Sequence, residues 1–302
     1  MDRNGQLGGF FDGLRRYSRP AGIIPATEST DPAPRIGLAL GGGFARGIAH
    51  AGVLKALEQH HIPIHCITGV SAGAIVAAAY ASGATPTEIA RTGCAMRFGD
   101  VGRWRLGRLG LVSSERMNGF LKRLMRTSRF EEMRIPLGIL ATDLSTGQPV
   151  AFHGSGNVFE PIRASCSYPG LFHPIRYHGR LLVDGAMSME IPAALARQLG
   201  ATHVVSVALP VHRPSALPSN MFQVVNRCFQ ILQSLSESNW RSETDLVMTP
   251  DVRGVDWNGF ECGPQLIEAG ESAALAAIPK LREYLAVGHS TVDPAEFLPA
   301  AS

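Results

Sequence analysis

The chain has 302 residues, of which 45% are hydrophobic, and its mean hydropathy is +0.07. This length and composition predict a well-filled soluble core in one large α/β domain rather than in two small ones. The net charge of +3 and the isoelectric point near 8.7 are too mild to indicate nucleic-acid binding, although they would not repel an anionic membrane surface.

Five cysteines are spread through the chain, at Cys66, Cys94, Cys166, Cys228 and Cys262. Their spacing matches no CxxC or metal-ligand motif, and their odd number argues against a disulfide framework. We expect buried thiols in a reducing compartment. No apolar run approaches the ~18–20 residues of a spanning helix, and the N-terminus lacks the apolar core of a signal peptide. We therefore expect a cytoplasmic protein.

Residues 1–34 differ in composition from the rest of the chain. An apolar and basic patch at 9–17 precedes a stretch rich in Pro, Ala, Ser and Thr, from Ser18 to Pro34, that is typical of a linker. The patch is compatible with a disordered or self-docked tail, or with an anchor whose aromatic side chains enter lipid headgroups. We predict a tail and linker over 1–34 and a folded domain over 35–302.

The folded domain begins with a strand, a glycine loop and a helix. Apolar residues predict the strand over 35–40, and the helical pattern runs from Ile48 to about His60. The next predicted elements are a strand over 62–68 and helices over 72–82 and 86–96. The glycine loop and the turn around Ser71 thus both follow strand ends, where open α/β sheets build their sites.

Arginines dominate segment 91–134, which also contains few acids, a glycine-rich stretch over 99–110 and an amphipathic helix over about 114–126. One interpretation is a flexible cap that contacts anionic lipid near the site. The other is a solvated loop and helix whose arginines face water.

The second half of the chain continues the α/β pattern. The remaining predicted strands cover 135–142, 149–152, a hairpin over 175–183, 203–209 and 245–249, and the helices cover 161–167, 191–199, 220–236 and 265–285. The helix over 220–236 carries an apolar stripe of Phe222, Val225, Phe229 and Leu232, which predicts a core-facing side or a homodimer interface.

A serine turn joins the strand that ends at Thr68 to an alanine-rich helix. The spacing Gly69-x-Ser71-x-Gly73 is typical of a nucleophile elbow, where strained backbone needs small neighbours two residues to either side. The Ser71 hydroxyl would then project beside the helix N-terminus, where the N–H of Ala72 can help bind an oxyanion. Two glycines around a serine also occur by chance, so the pattern alone does not establish a nucleophile.

The glycine loop has two interpretations, which belong to different classes of function. A dinucleotide loop needs G-x-G-x-x-G and an acid about 20 residues later, but here the glycines are Gly41, Gly43 and Gly47, and the next strand ends without an acid. A Walker loop is excluded because no Lys-Ser or Lys-Thr follows Gly47. The other interpretation is a set of N–H donors for an oxyanion, with Arg46 adding positive charge or fixing the loop.

A serine nucleophile also needs a base, and the residues leave two kinds of group open. His203, His212 and His289 follow the elbow, but none lies in a turn with the character of a site. Asp184 heads an Asp-Gly-Ala turn at the end of an apolar strand. A carboxylate at such a place either reaches a site or caps its own turn.

Three motifs, in their order along the chain, resemble those of the patatin-like phospholipase family and are closest to its bacterial branch. The motifs are Gly41-Gly42-Gly43-Phe44-Ala45-Arg46-Gly47, Gly69-Val70-Ser71-Ala72-Gly73 and Asp184-Gly185-Ala186. The likeness includes residues 141–147 and 164–172 and extends from about Ile36 to the last helix. There are two departures: plant patatins have a third glycine where Phe44 stands, and Asp-Gly-Ala replaces the commoner Asp-Gly-Gly.

The resemblance implies a three-layer α/β/α fold with a mainly parallel central sheet and a serine hydrolase of phospholipids or other acyl esters. It implies a catalytic dyad, with Ser71 as nucleophile and Asp184 as general base, and an oxyanion hole of the Gly42, Gly43 and Phe44 amides. It requires no metal and no cofactor. The alternatives are an acyltransferase or thioesterase with the same acyl-enzyme, or a regulatory protein whose glycine loop binds a nucleotide.

The dyad also implies a particular environment for its carboxylate. An aspartate with an ordinary pKa near ~4 is a poor base for a serine hydroxyl. We therefore expect partial burial among the apolar residues of both turns to raise the pKa of Asp184.

Overall fold

The computed structural model describes residues 33–210 and 217–286. Most of the predicted tail and linker, residues 1–32, lies outside these ranges, as do His212 and His289. The strands are β1 (Ile36–Leu40), β2 (Cys66–Gly69), β3 (Arg103–Gly107), β4 (Gly110–Ser113), β5 (Leu137–Asp143), β6 (Pro149–Phe152), β7 (Ile175–Tyr177), β8 (Arg180–Asp184), β9 (His203–Val207) and β10 (Leu246–Met248).

Helices connect most of these strands. The α-helices are α1 (Ala49–Gln59), α2 (Ala72–Ser82), α3 (Pro86–Ala95), α4 (Phe98–Val101), α5 (Met117–Leu124), α6 (Phe159–Ser165), α7 (Ala193–Gln198), α8 (Met221–Arg241) and α9 (Gly263–Ala286). Short 3₁₀ helices cover Phe44–Ile48, Phe130–Glu132, Gly185–Met187 and Phe260–Cys262.

One large sheet organises the described chain. Its strand order is β10-β9-β1-β2-β5-β8-β7, with β6 paired to β5. The strands from β10 to β5 are parallel, and β6, β8 and β7 join by antiparallel pairing. The register sets Leu40 beside both Gly69 and Val207, so the C-terminal ends of three strands meet at one edge. The mainly parallel sheet predicted from the sequence is confirmed.

Alternate residues of the strands face two different helical layers. On one face, Leu38 and Ile67 pack with apolar residues of α1, α2 and α9. On the other face, Ala39 and Cys66 pack with α7 and with Trp240 of α8. All four strand residues are fully buried, which is the usual state of a parallel sheet covered on both sides. The three-layer α/β/α architecture is confirmed.

Segment 91–134 contains the predicted amphipathic helix, as α5 (Met117–Leu124), and more regular structure before it than the sequence indicated. Where a glycine-rich loop was expected over 99–110, the structure has the short helix α4 and the antiparallel hairpin of β3 and β4. Every residue of β3 is exposed. The sequence of β3 alternates basic and apolar residues, but both kinds of side chain face solvent.

Helix α8 also differs in part from its prediction. Phe229 is buried, but Leu232 of the same predicted stripe is exposed, because α8 lies on the outside of the domain and only part of its apolar surface reaches the core. The expectation of buried thiols fails at Cys228 for the same reason: it lies on α8 and is exposed, whereas Cys66 and Cys166 are buried.

Two kinds of feature are absent from residues 33–210 and 217–286. None of the helices there is both long enough and apolar enough to cross a bilayer. In the same ranges, no three His, Cys, Asp or Glu side chains are grouped so that they could hold a metal ion.

Candidate active site

Ser71 occupies the turn between β2 and α2, and its backbone is strained. Its φ is 53° and its ψ is −125°, a conformation that costs a residue with a side chain roughly 1–3 kcal/mol. Gly69 and Gly73 allow the tight corner. A Cβ on Gly69 would lie 2.4 Å from the oxygen of Gly73, and a Cβ on Gly73 would lie 2.4 Å from the oxygen of Leu40. The glycine spacing noted in the sequence thus has a steric cause.

Asp184, the last residue of β8, faces Ser71 directly. The Ser71 Oγ donates a hydrogen bond to Asp184 Oδ2 over 2.8 Å, and the Ala186 N–H donates to Oδ1 over 3.0 Å. Asp184 is 1% exposed. Burial raises the pKa of this carboxyl to about 7, although both hydrogen bonds oppose the rise. The carboxylate thus both caps its own turn and reaches the serine.

The Asp-Gly-Ala turn is packed tightly against β5. A Cβ on Gly185 would lie only 2.1 Å from the oxygen of Leu140, so the position after Asp184 requires glycine. The hydroxyl of Thr142 donates to the carbonyl of Asp184 over 2.9 Å. These contacts fix the backbone that carries the carboxylate.

A second buried serine, Ser165 at the end of α6, holds the elbow in place. The backbone N–H of Ser71 donates to Ser165 Oγ over 2.8 Å, and the Ser165 hydroxyl donates to the oxygen of Leu140 over 2.7 Å. Two residues further on, the oxygen of Ser167 accepts from the backbone N–H of Asp184. The sequence predicted a helix over 161–167 and included this segment in the resemblance, but it gave Ser165 no role.

The glycine loop after β1 presents three backbone N–H groups that have no acceptor in the described part of the chain. They are those of Gly42, Gly43 and Phe44, the three donors that the resemblance implies. The neighbouring N–H groups are engaged: Gly41 donates to the oxygen of Val207, Ala45 to that of Trp257 and Arg46 to that of Gly43. Unengaged N–H groups at a helix N-terminus are suited to an oxyanion.

The loop lies against the serine. A Cβ on Gly42 would be 3.2 Å from the Ser71 Cβ, and a Cβ on Gly47 would be 2.6 Å from the Ala72 Cβ. Ala72 is the first residue of α2, where helical N–H groups have no partner within the helix. The Ala72 N–H thus lies at the start of α2, directly after the turn that carries Ser71, and its part in an oxyanion hole stays a prediction.

Phe44 shows how the chain accommodates a residue other than glycine. Its φ is 51°, the left-handed region that glycine adopts freely. The Phe44 ring packs edge-on against Tyr168 and Trp257, with ring centroids 5.2 and 5.3 Å apart. Such aromatic pairs contribute about 0.5–1.5 kcal/mol each, which offsets the cost of the backbone conformation.

Arg46 and His50 support the loop from behind. Arg46 Nε lies 3.5 Å from the oxygen of Gly43, and burial lowers the pKa of its guanidinium while Asp256 opposes that shift. His50 Nε2 lies 2.8 Å from the oxygen of Gly41. Burial lowers the pKa of His50 to about 4, so its ring is neutral near pH 7 and donates through Nε2.

Sequence reasoning did not single out His50. The sequence shows only a histidine in the apolar first turn of α1, and that pattern does not reveal its bond to the loop. In the structure His50 is fully buried, and its Nδ1 has no hydrogen-bond partner among the described residues. A buried imidazole with one unpartnered nitrogen is costly, and the bond to Gly41 offsets part of that cost.

Two pockets meet at Ser71 and share Phe44 and Trp257. The larger has a volume of about 450 Å³ and a mostly apolar wall that includes Ile75, Phe98 and Phe172. The smaller is a recess of about 40 Å³ that contains Asp184. Its polar lining consists of Arg46, Glu190, Asn226, Gln230 and Gln233.

The histidines considered as bases do not reach this site within the described chain. His203 pairs with Ile36 at the start of β1, which is the opposite end of the parallel strands from Ser71. His212 and His289 lie outside the described residues. The group that accepts from the Ser71 hydroxyl is the carboxylate of Asp184.

The family model described as patatin-like phospholipase matches residues 38–197 of this chain. The match covers more than half of the chain and includes the glycine loop, Ser71 and Asp184. The chain belongs to the patatin-like phospholipase family.

Curated relatives of this patatin-like chain match its central part. A patatin-like phospholipase domain-containing protein of Caenorhabditis elegans is 34% identical over 57% of this chain and 13% of the relative. A lysophospholipase of Emericella nidulans is 31% identical over 64% of this chain and 13% of its own length. An uncharacterized NTE family protein of Mycobacterium bovis is 33% identical over 58% of this chain and 49% of the relative. The chain thus spans half or less of these relatives.

Solved structures with a similar fold are more distant in sequence. VipD from Legionella pneumophila aligns with a TM-score of 0.47 at 10% identity, over 82% of this chain and 67% of VipD. The type III effector protein ExoU aligns with a TM-score of 0.41 at 16% identity, over 86% of this chain and 54% of ExoU.

Proposed function

We propose that this patatin-like chain is a serine lipid acyl hydrolase, a carboxylic ester hydrolase that cleaves an acyl ester of a phospholipid through a dyad of Ser71 and Asp184. One observation carries the proposal. The Ser71 hydroxyl donates directly to a buried carboxylate, and Ser71 also lines an apolar cavity of about 450 Å³. A nucleophile paired with a base of raised pKa, beside a lipid-sized cavity, is suited to acyl transfer.

Acylation begins when Asp184 removes the proton from the Ser71 hydroxyl as Oγ attacks the ester carbonyl. The pKa of about 7 makes this carboxylate a far better base than an ordinary aspartate near neutral pH. The tetrahedral oxyanion is stabilised by the unengaged amides of Gly42, Gly43 and Phe44, with Ala72 beside them. The protonated Asp184 then donates its proton to the leaving alcohol oxygen.

Deacylation repeats the same steps with water. Asp184 removes a proton from water, the hydroxide attacks the acyl carbonyl on Ser71, and Asp184 returns the proton to Ser71 Oγ as the fatty acid departs. The cycle needs no group besides the dyad and the loop amides.

In this proposal each pocket binds a different part of the substrate. The apolar cavity takes the acyl chain, because its aromatic and aliphatic walls favour methylene groups over water. The polar recess takes the alcohol side of the ester. Asn226, Gln230 and Arg46 line this recess, and we expect the amides to bind a substrate hydroxyl and Arg46 to bind an anionic headgroup.

The proposal is tested with a panel of phospholipids, lysophospholipids and short-chain esters, using the full chain and Ser71→Ala. We expect fatty-acid release by the full chain and none by the variant, and covalent labelling of Ser71 by a fluorophosphonate. Turnover that survived in Ser71→Ala, or labelling at another residue, would overturn the dyad.

The same assay separates the alternative functions. Adding alcohol or lysolipid acceptors would reveal an acyltransferase by a new acylated product, and acyl thioesters would reveal a thioesterase. A nucleotide-binding regulatory protein would instead show a rise in unfolding temperature with a dinucleotide, because a ligand that binds only the folded state stabilises it. We expect hydrolysis to dominate and no such rise, because the glycine loop packs against Ser71 at Gly42.

Contact with the membrane surface through the N-terminal tail or segment 91–134, and homodimer formation through α8, remain predictions. Helix α8 leaves Met221, Val224 and Leu235 exposed, which is compatible with a partner surface. The tail lies outside the described residues.

A further inference from the structure

The hairpin of β3 and β4 carries a cluster of large apolar side chains that the core does not use. Leu106 is 81% exposed and Trp104 is 65% exposed, and Leu109 and Leu111 are also exposed. Single exposed leucines are common, but four large apolar residues within one short hairpin form a surface that needs an explanation.

Arginines alternate with these apolar residues. Residues 103–111 contain Arg103, Arg105 and Arg108 and no acidic residue, and all three arginines are exposed. Within the described ranges, none of the three forms an ion pair. Apolar tips interleaved with unpaired positive charge match the boundary between acyl chains and anionic headgroups.

The hairpin is held firmly at its base. The oxygen of Leu171 accepts from the backbone N–H groups of Leu111 and Val112, and the His173 N–H donates to the oxygen of Val112. The His173 ring also lies 2.8 Å from the oxygen of Arg105 through Nε2. The exposed apolar residues are thus presented by an ordered element.

The base of the hairpin is also part of the wall of the apolar cavity. Trp104 and Leu171 line that cavity together with Ser71. The Trp104 ring lies 5.9 Å from the ring of Phe98, another wall residue. A continuous apolar path therefore leads from the exposed hairpin into the cavity beside the serine.

We propose that the hairpin over 103–111 inserts its leucines and Trp104 into the surface of an anionic membrane and so opens the apolar cavity directly onto lipid. A second copy of the chain is a poorer occupant, because a two-fold contact through this hairpin would bring two sets of unpaired arginines together. Only the use of the cavity for an acyl chain rests on the proposed function. Binding of the hairpin to lipid does not.

The test measures co-sedimentation of the full chain with vesicles of ether-linked lipids, which no esterase can cleave. One set of vesicles is phosphatidylcholine alone, and the other is equimolar phosphatidylcholine and phosphatidylserine. We expect binding to the anionic vesicles that weakens as salt is raised, because surface charge is screened over about 8 Å at physiological ionic strength and about 3 Å at 1 M.

Two variants test the two parts of the surface. Arg105→Gln combined with Arg108→Gln should weaken binding to the anionic vesicles roughly 25-fold, since each basic residue near such a surface contributes about fivefold. Leu106→Ser should weaken it about tenfold, which is the scale for burying one leucine side chain. Neither change touches the cavity wall, and unfolding temperatures will show that both variants are folded.

Matched controls use exposed residues of the same types outside the hairpin. Arg176→Gln combined with Arg282→Gln removes the same charge, and Leu275→Ser removes a leucine that is 47% exposed on α9. We expect both controls to bind vesicles like the unaltered chain. If the control variants lost as much vesicle binding as the hairpin variants, the loss would not depend on the position of the residues. That result would overturn the proposal.

Other outcomes assign the surface to another role. Vesicle binding that survives the hairpin changes but is lost on deletion of residues 1–34 would place the contact in the tail. Hairpin variants that change the oligomeric state in sedimentation velocity, but not vesicle binding, would assign the surface to a second copy. A chain that binds the ether-lipid vesicles through the hairpin but releases no fatty acid from esters would overturn the proposed function alone.

Discussion

Ser71 Oγ and Asp184 Oδ2 lie 2.8 Å apart, although 113 residues separate the two in the sequence. The fold creates this contact by placing β2 and β8 on either side of β5, where Gly69 pairs with Ile139 and Asp184 pairs with Ala141, so the elbow and the carboxylate lie at nearly the same level of the sheet. Burial keeps the carboxyl pKa near 7, so near neutral pH its protonated and ionised forms are comparably populated. A group that must both take and return a proton works best under that condition.

The first prediction concerns Asp184→Asn. Asparagine has the shape of the aspartate, can accept from the Ala186 N–H and can donate to Ser71 Oγ, but it cannot take the serine proton. We expect ester turnover to fall by at least 10²-fold, the scale for losing a general base. Michaelis constants and turnover numbers for a short-chain ester provide the measurement.

The second prediction is that the same substitution stabilises the protein at neutral and alkaline pH. The pKa of Asp184 rises from 3.8 to about 7 on folding. Below pH 3.8 its carboxyl is protonated in both states, and its full contribution to the free energy of unfolding is present. That contribution is lost as the pH rises through about 7, because only the unfolded chain ionises freely. Asparagine does not ionise and so avoids this loss, which amounts to at most about 4 kcal/mol of the free energy of unfolding.

Urea unfolding at pH 4 and pH 8 measures this difference. We expect Asp184→Asn to be more stable than the unaltered chain at pH 8 and similar to it at pH 4. Asp251→Asn is the control, because Asp251 is an exposed carboxylate paired with Arg253, which holds its pKa at about 2. A control variant with the same gain at pH 8 would contradict the burial argument.

The third prediction is the pH dependence of the reaction. If Asp184 is the base, turnover should rise with pH through an apparent pKa near the carboxyl value of about 7 and then level off. Replacing His203, His212 or His289 one at a time should leave this limb in place. Because an ordinary histidine also titrates near ~6.5, loss of the limb in any one of these variants would identify a histidine as the base.

The sequence predicted the elements that carry the site better than it predicted their surroundings. The elbow around Ser71, the glycine loop and the Asp184 turn follow strand ends, where glycine spacing and apolar runs are strong local signals. The direct contact of Ser71 with Asp184 depends on which strands become neighbours of β5. No local pattern contains that information, and the resemblance to a family supplied the pairing.

Other features could not be predicted for different physical reasons. Ser165 and His50 act through buried hydrogen bonds to the backbone, and a serine or histidine in a helix carries no mark of such a bond. The alternation of arginines with apolar residues over 103–106 fits a strand, but the glycines of 99–110 favoured a loop.

The fourth prediction concerns the glycine loop. A methyl group added at Gly43 would lie 2.8 Å from the Leu209 Cδ1, so Gly43→Ala must displace either the loop or that side chain. We expect turnover to fall on the order of 10²-fold, as for loss of one oxyanion donor, with little change in the Michaelis constant. Gly119→Ala on α5, which has open space around it, is the matched control.

The last prediction assigns His50 a positioning role. Its neutral ring donates to the oxygen of Gly41, the first residue of the loop that carries the proposed oxyanion donors. In His50→Leu that donor is lost and the loop can shift, so turnover should fall roughly 10-fold to 10²-fold while the Michaelis constant changes little. His50→Gln can place an amide N–H near the former Nε2 and should restore much of the turnover.

The pH profile then distinguishes this role from catalysis and from stability alone. Because burial lowers the pKa of His50 to about 4, His50 does not titrate where Asp184 does, and the limb near pH 7 should keep its position in both variants. Unfolding measurements report any loss of stability separately. If His50→Leu moved the limb, His50 would be part of the proton path. If His50→Gln were as slow as His50→Leu although equally well folded, the hydrogen bond to Gly41 would not be what aligns the loop.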